Sequence, residues 1–290
     1  MPSGKRARQQ RQAAAAAAPP PVRSKGAGGA RARQASPRSL AIAGGVALVV
    51  IIAVVLGIVL NKGGSGGSNI PTKADLQGLP AVGSQKWSGA LQGAQEANDL
   101  FKGIPQNGLV LGDPKAPVTM EMFIDVQCPV CDDYEVNYLS SVVQDYVRPG
   151  KVQLHLQPWA FLGTQSFSGR LGLIAAAAQN KGFNFAKVLY DNQPSDSENT
   201  GYLNGKWLAG IAASTTGLKL QEWRTATNGP EAQSVATAVD NLAKKKNVSG
   251  TPTIFVGCTG GKLKAAMPAG AYQPQNVEPA LNAAVAACGK

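Results

Sequence analysis

The feature that most constrains this chain is the segment MEMFIDVQCPVCDDYEVNYLSSVV, Met120 to Val143, which sets two cysteines three positions apart where one periodicity gives way to another. Upstream, VTMEMFIDV reads as an apolar strand. Downstream, Tyr134, Val136, Leu139, Val142, Val143, Tyr146 and Val147 recur at helical spacing until RPG ends the run. Cys128 therefore falls at a strand end and Pro129 at the first helical position, where the N–H that proline lacks would go unpaired anyway. Free amide N–H groups and the positive end of a helix dipole favour a thiolate there. Such a setting lowers a thiol's pKa from about 8.5 to somewhere between roughly 3.5 and 7.5. Cys131 lies one turn inward, close enough to close a disulfide. Cys128 is thus the expected attacking sulfur and Cys131 the resolving one.

Two other roles for the pair fit less well. A zinc knuckle needs two further ligands, yet the chain has one histidine, and Cys258 and Cys288 lie more than a hundred residues away without knuckle spacing. A purely structural disulfide gains little here, because so tight a loop removes little chain entropy. A working dithiol is the reading that survives, with no metal and no other cofactor expected.

The net charge of +11 looks at first like a nucleic-acid binder, but its distribution says otherwise. Residues 1–62 hold 10 of the 28 Lys and Arg and no Asp or Glu, leaving 18 basic against 17 acidic side chains in the remainder. Lys244-Lys245-Lys246 is the one basic run outside the tail, and it reads as a solvated helix face, so no nucleic-acid partner is expected. Residues 1–39, rich in Ala, Gly, Pro and Arg, bury too little apolar surface to fold and are expected to be a disordered cytoplasmic tail. Leu40 to Leu60 follows, 21 residues without a charge. As a helix it spans about 31 Å, the thickness of a bilayer's hydrocarbon core. Nine basic residues precede it and only Lys62 follows closely, which puts the N-terminus in the cytoplasm and the rest outside. A cleaved signal peptide is the competing reading; its leading region would be overlong, and no A-x-A site follows Leu60. NKGGSGGSN, Asn61 to Asn69, reads as a flexible linker, and 61–106 as linker and juxtamembrane segment. Outside the membrane no glutathione pool keeps thiols reduced, so cysteines there pair or exchange.

From Asn107 the order of elements is that of an α/β domain with one sheet. GLVLG and VTMEMFIDV are candidate strands, and KVQLHLQPWAF alternates Val152, Leu154 and Leu156 against Gln153, His155 and Gln157 as a half-buried strand. A mostly helical block runs from about 164 to 246. The strand TPTIFVG, a second strand near Leu263 to Ala271, and a helix from about Pro274 to Ala287 complete the chain. In VSGTPTIFV, Pro252 stands at the mouth of a strand, where a cis bond turns the chain sharply and an ordinary trans edge proline is the alternative.

FIDVQCPVC, AAAAQNKGFNFAKVLYDNQ and VSGTPTIFVG, in that order and followed by a Gly-rich hairpin and a terminal helix, resemble the DsbA-like branch of the thioredoxin superfamily in its membrane-anchored, Gram-positive form. The resemblance covers about 107–290. It implies a thioredoxin fold with a helical domain inserted before the cis-proline strand. By carry-over Cys128 is the nucleophile, Cys131 its partner and Pro252 the cis-proline. Thr251, Pro252, Pro129 and Val130 would meet the substrate. Two positions depart from the pattern. Many relatives carry a buried acid six residues before the first cysteine, where this chain has Met122, and Glu121 one step away should face the other side of the strand. Val130 stands where strongly oxidising members have a thiolate-stabilising histidine, which implies a higher Cys128 pKa and a less oxidising pair. His155, on a strand, is expected at the surface.

In that fold the last two strands form a hairpin and the terminal helix runs back along them. About 21 Å of helix and about 23 Å of strand then return Cys288 near Cys258, and a disulfide between them is expected. Its loop of about thirty residues would stabilise by roughly 3–4 kcal/mol. The resemblance implies an oxidoreductase that forms disulfides in exported, cysteine-bearing proteins and is reoxidised by a quinone-linked membrane partner, DsbB-like or vitamin K epoxide reductase-like (VKOR-like). A reductase or isomerase of the same fold stays open, since direction depends on potential and partner. So does a non-enzymatic module that holds clients in an apolar groove.

Overall fold

The computed structural model describes residues 70–77, 79, 90–195 and 198–289 of the 290-residue chain. The expected tail (1–39), anchor (40–60) and most of the linker lie outside the described residues; among those described, no helix is long and apolar enough to cross a membrane. Six strands form one sheet: β1 Gln106–Asn107, β2 Val110–Leu111, β3 Val118–Ile124, β4 Val152–Pro158, β5 Thr253–Cys258 and β6 Lys264–Met267, in the order β1-β2-β4-β3-β5-β6. Only β3 and β4 pair in parallel, Met122 opposite Leu156. The connection between them is helical: α2 Pro129–Asn137, α3 Leu139–Val142 and a π-helical turn Val143–Val147. One expected helix is thus three pieces, broken at Tyr138, whose φ of −123° leaves the helical region.

Pleating gives β3 two different faces. Val118, Met120, Met122 and Ile124 are at most 1% exposed and join Leu154, Leu156, Ile254 and Val256 in the main core. The opposite face presents Thr119, Glu121 and Phe123, and it is covered as well. Phe123 packs with Ala243 and Val248, while Lys246 reaches Glu121 at 2.6 Å and lies over the Phe255 ring. The β4 polar face is therefore less open than an amphipathic strand suggests. His155, expected at the surface, is half-buried, and its ring contacts the Gln153 side chain at 2.9 Å. Burial lowers its pKa, with Glu121 opposing.

Between β4 and β5 the chain inserts five helices: α4 Thr164–Ala177, α5 Gly182–Asp191, α6 Gly205–Ser214, α7 Leu220–Thr227 and α8 Pro230–Lys245. The first four share the main core through Leu173, Phe185, Leu189, Ile211 and Trp223, while α8 packs separately, Ala232 and Ala236 on Leu171 and Ile174 of α4 and Ala243 on Phe123. The terminal helix, α9 Val277–Cys288, packs on β5 and β3. Its last residue forms a disulfide with Cys258, whose Cα lies 5.5 Å away.

One boundary needs correcting. Residues 94–106, expected within a juxtamembrane linker, belong to the domain. Helix α1, Ala94–Phe101, buries Ala94, Ala97, Leu100 and Phe101 against α5, with Phe101 and Phe183 ring centroids 6.0 Å apart. Eight residues show barely two turns of periodicity, and the flanking glycines blur the pattern further. The face is legible only once α5 is there to cover it.

Candidate functional site

Strand β3 ends at Ile124, and the next four residues make a turn that delivers Cys128 to the N-cap of α2, with Pro129 at the first helical position. The turn is held by Asp125, which is buried. One oxygen of its carboxylate accepts from the Gln127 N–H at 2.9 Å and the Ser166 hydroxyl at 2.6 Å. The other accepts from the Phe161 and Leu162 N–H groups at 2.9 and 3.0 Å. Four donors on one buried carboxylate replace the water it has lost. The strand end, the loop after β4 and the start of α4 are thereby tied into one corner.

Both cysteines of the pair are free thiols. The Cys131 N–H points at the Cys128 sulfur at 3.4 Å, and that sulfur also lies 3.4 Å from the Thr251 carbonyl oxygen, to which its thiol hydrogen is donated. The pair titrates unequally. A hydrogen bond from the Cys131 thiol is the largest influence lowering the Cys128 pKa, burial opposes it, and the Thr251 side chain with the Cys131 and Val130 N–H groups helps bring it to about 7. Cys131, fully enclosed, is pushed well above the ordinary thiol range, first by burial and then by its neighbour's hydrogen bond and charge. One sulfur is prepared to be a thiolate and the other to hold a proton. The Thr251 hydroxyl is buried without a hydrogen-bond partner and lies near enough to favour a thiolate at either sulfur.

Thr251-Pro252 is a cis peptide and opens β5 beside the dithiol, so topology brings together two motifs that are more than a hundred residues apart. Pro129 and Val130 are exposed next to Cys128, and Phe161, stacked on Trp159 at 4.8 Å, adds an exposed aromatic on the Asp125 side. On the far side of α2, the Tyr272 hydroxyl donates to the Asp133 carboxylate. Cys258 and Cys288 are joined to each other and take no part in this cluster. Met122 is wholly buried in the main core, while Glu121 faces away toward Lys246.

A buried acid is nonetheless present. Glu135, one turn beyond Cys131 on α2, is 2% exposed, and burial chiefly pushes its pKa up to about 8. Lys187 of α5 pulls that value down, while Asp191 and Asp132 push it up. Lys187 itself is bound to Asp191 at 2.5 Å. Helical spacing sets Glu135 four residues from both Cys131 and Leu139, on the buried side of the run, a signal that sequence reasoning left unused; α5, some fifty residues later, is what covers it. Asp125 was also missed; an acid directly after an apolar strand and three residues before the first cysteine was the available signal.

A family model described as thioredoxin matches residues 105–265. Disulfide bond formation protein D of Bacillus subtilis (strain 168) is 27% identical over 169 residues, covering 56% of this chain and 74% of that protein. Among solved structures, oxidised BdbD from Bacillus subtilis aligns with a TM-score of 0.54 at 22% identity, over 62% of this chain and 94% of that one. Alpha-DsbA1 of Wolbachia pipientis aligns with a TM-score of 0.54 at 20% identity, over 66% and 97%. At those identities the two structures speak to the fold.

Proposed function

Because this chain belongs to the thioredoxin family, as a DsbA-like thiol–disulfide oxidoreductase, we propose that it works in the oxidising direction, outside the cytoplasmic membrane, on exported proteins that carry cysteines. The observation that carries this reading is the divided pair: Cys128 lowered to about 7 at a helix N-terminus, Cys131 buried and raised. In the oxidised enzyme a substrate thiolate attacks the Cys128 sulfur. The Cys128–Cys131 bond breaks, and Cys131 takes the electron pair and then a proton, which its raised pKa favours. The substrate's second thiolate next attacks the substrate sulfur of the mixed disulfide. Cys128 leaves as a thiolate, and a low leaving-group pKa speeds that departure. The Thr251–Pro252 backbone, beside the Cys128 sulfur, is proposed to line up an extended substrate segment with Pro129 and Val130.

Each turnover leaves the pair reduced by two electrons and two protons. A quinone-linked membrane partner, DsbB-like or VKOR-like, is the proposed acceptor. The apolar run Leu40–Leu60, with nine basic residues before it, supports a single anchor with the N-terminus cytoplasmic and the dithiol outside. A second reading, reductase or isomerase, draws on the Cys128 pKa, since about 7 is also the value of thioredoxin's nucleophile. The reduction potential of the pair separates the two: near −120 mV the enzyme oxidises, near −270 mV it reduces. A Cys128→Ala variant tests the nucleophile itself and is expected to lose oxidation of a reduced, unfolded model protein. Parent-like rates in that variant would remove Cys128 from the role.

A further inference from the structure

Cys128 is the first residue after a turn whose three preceding carbonyls are each taken by a side chain of the helical insertion. Tyr190, on α5, donates its hydroxyl to the Asp125 carbonyl at 3.0 Å. Tyr202, in the segment before α6, donates to the Val126 carbonyl at 3.3 Å. Gln193, just beyond α5, donates its amide to the Gln127 carbonyl at 2.8 Å. The same region grips the turn in two further ways. The Gln127 side chain donates to Ser166 at 2.7 Å and accepts the Asn199 N–H at 3.0 Å. Gly169 of α4 lies so close to the turn that a Cβ there would stand 2.6 Å from a Val126 methyl. No other stretch of the thioredoxin core described above is held by consecutive carbonyls in this way.

We infer that Tyr190, Tyr202 and Gln193 are positioning residues through which the helical insertion sets the acidity of Cys128. The inference rests on the dithiol reading above. Its physical basis is the sign of the charges. The Asp125 carbonyl also takes the Cys128 N–H at 2.9 Å, so Tyr190 gives it a second donor, while Tyr202 and Gln193 supply the donors to the Val126 and Gln127 carbonyls. Carbonyl oxygens left with fewer donors, immediately upstream of a sulfur that must become an anion, would oppose ionisation. A donor hydrogen on each offsets that negative potential, and it fixes the peptide planes that set Cys128 at the N-cap, where the Cys131 N–H reaches its sulfur. Water could satisfy exposed carbonyls but not these: Asp125, Val126 and Gln127 are all at most 1% exposed. Tyr190 also remains a donor while Cys128 titrates. It is fully buried, and burial, followed by the nearby Cys131, Glu135, Cys128 and Asp125, drives its own ionisation far above the range in which Cys128 changes charge. A thiol raised in acidity by its own helix alone would not depend on a domain inserted after β4, and here it should.

The test uses the full-length reduced protein in detergent and follows the pH dependence of Cys128 alkylation by iodoacetamide, with thermal melting alongside. Tyr190→Phe is expected to raise the Cys128 pKa by roughly half a unit, about a threefold fall in the thiolate-to-thiol ratio. Tyr202→Phe should move it less, and the double variant further than either. Tyr146→Phe is the control. It removes a hydroxyl bonded to Asn282 at 2.9 Å, far along the chain from the turn, and should lower the melting temperature without moving the pKa. A folded Tyr190→Phe protein with lowered melting temperature and unchanged or lowered Cys128 pKa would overturn the inference and leave the bonds merely structural. If Tyr190→Phe does not fold, Tyr202→Phe decides by the same criterion. Failure of the dithiol reading looks different: the parent itself would then show no alkylation transition near pH 7.

Discussion

The two cysteine pairs share one chemistry and occupy opposite settings. Cys128 and Cys131 sit at the start of a helix, where N–H groups converge and negative charge is stabilised. Cys288 is the last residue of α9, where carbonyls converge and a thiolate is disfavoured, and it is bonded to Cys258 at the end of β5. The first pair has one sulfur prepared to ionise, a buried partner and an arriving proline strand. The second has none of these and closes a loop. Which end of a helix holds the sulfur thus goes far toward deciding whether a disulfide exchanges or endures.

That contrast can be broken in stages. Removing the second pair, as Cys258→Ala with Cys288→Ala, should cost stability without touching the chemistry. A 30-residue separation predicts a loss of roughly 3–4 kcal/mol in denaturant melts, with the Cys128 alkylation pKa unchanged. A shifted pKa would mean that the two pairs are coupled. Gly169→Ala should act in the reverse sense, through the first pair's turn. Its new methyl must displace Val126 and Leu203 side chains at 2.6 Å, an overpacking cost of about 1–3 kcal/mol that should be accompanied by a higher Cys128 pKa.

Glu135→Gln gives the most distinctive profile, one read in pH dependence. With its folded pKa near 8 against an ordinary value of 4.5, Glu135 binds more protons in the folded state between those limits. Its contribution is therefore fully present below about pH 4.5 and is lost as pH rises toward 8. The variant should flatten the fall in melting temperature across that window, and an undiminished slope would show that another group carries it.

How much of this was legible from residues alone varied with distance along the chain. The strand-to-helix junction at Cys128 was readable because a proline, two periodicities and two cysteines lie within a few positions. The domain order from β3 to α9 was readable for the same reason, each element carrying its own pattern. Lys187 was not, because it looks like an ordinary surface charge until α2 is laid over it, whereas Glu135 lies in register with Cys131, Leu139 and Val142 and its burial could have been read from that spacing. Helix α1 was too short to declare its buried face. The basic run at the end of α8 is solvated at Lys244 and Lys245, as read, and only Lys246 departs from that reading by turning onto the β3–β4 polar face.

The placement of β5 has a consequence for how the molecule is made. Strand β3 pairs with β4 after some thirty residues, but its other neighbour comes about 140 residues later, Val118 opposite Cys258. At about 5–20 residues per second, the ribosome leaves the dithiol waiting on the order of ten seconds for Thr251 and Pro252 to emerge. Through that interval Cys128 and Cys131 are made while Cys258 and Cys288 are not. The order of synthesis thus keeps the structural pair away from the reactive one until the strand between them can be built in.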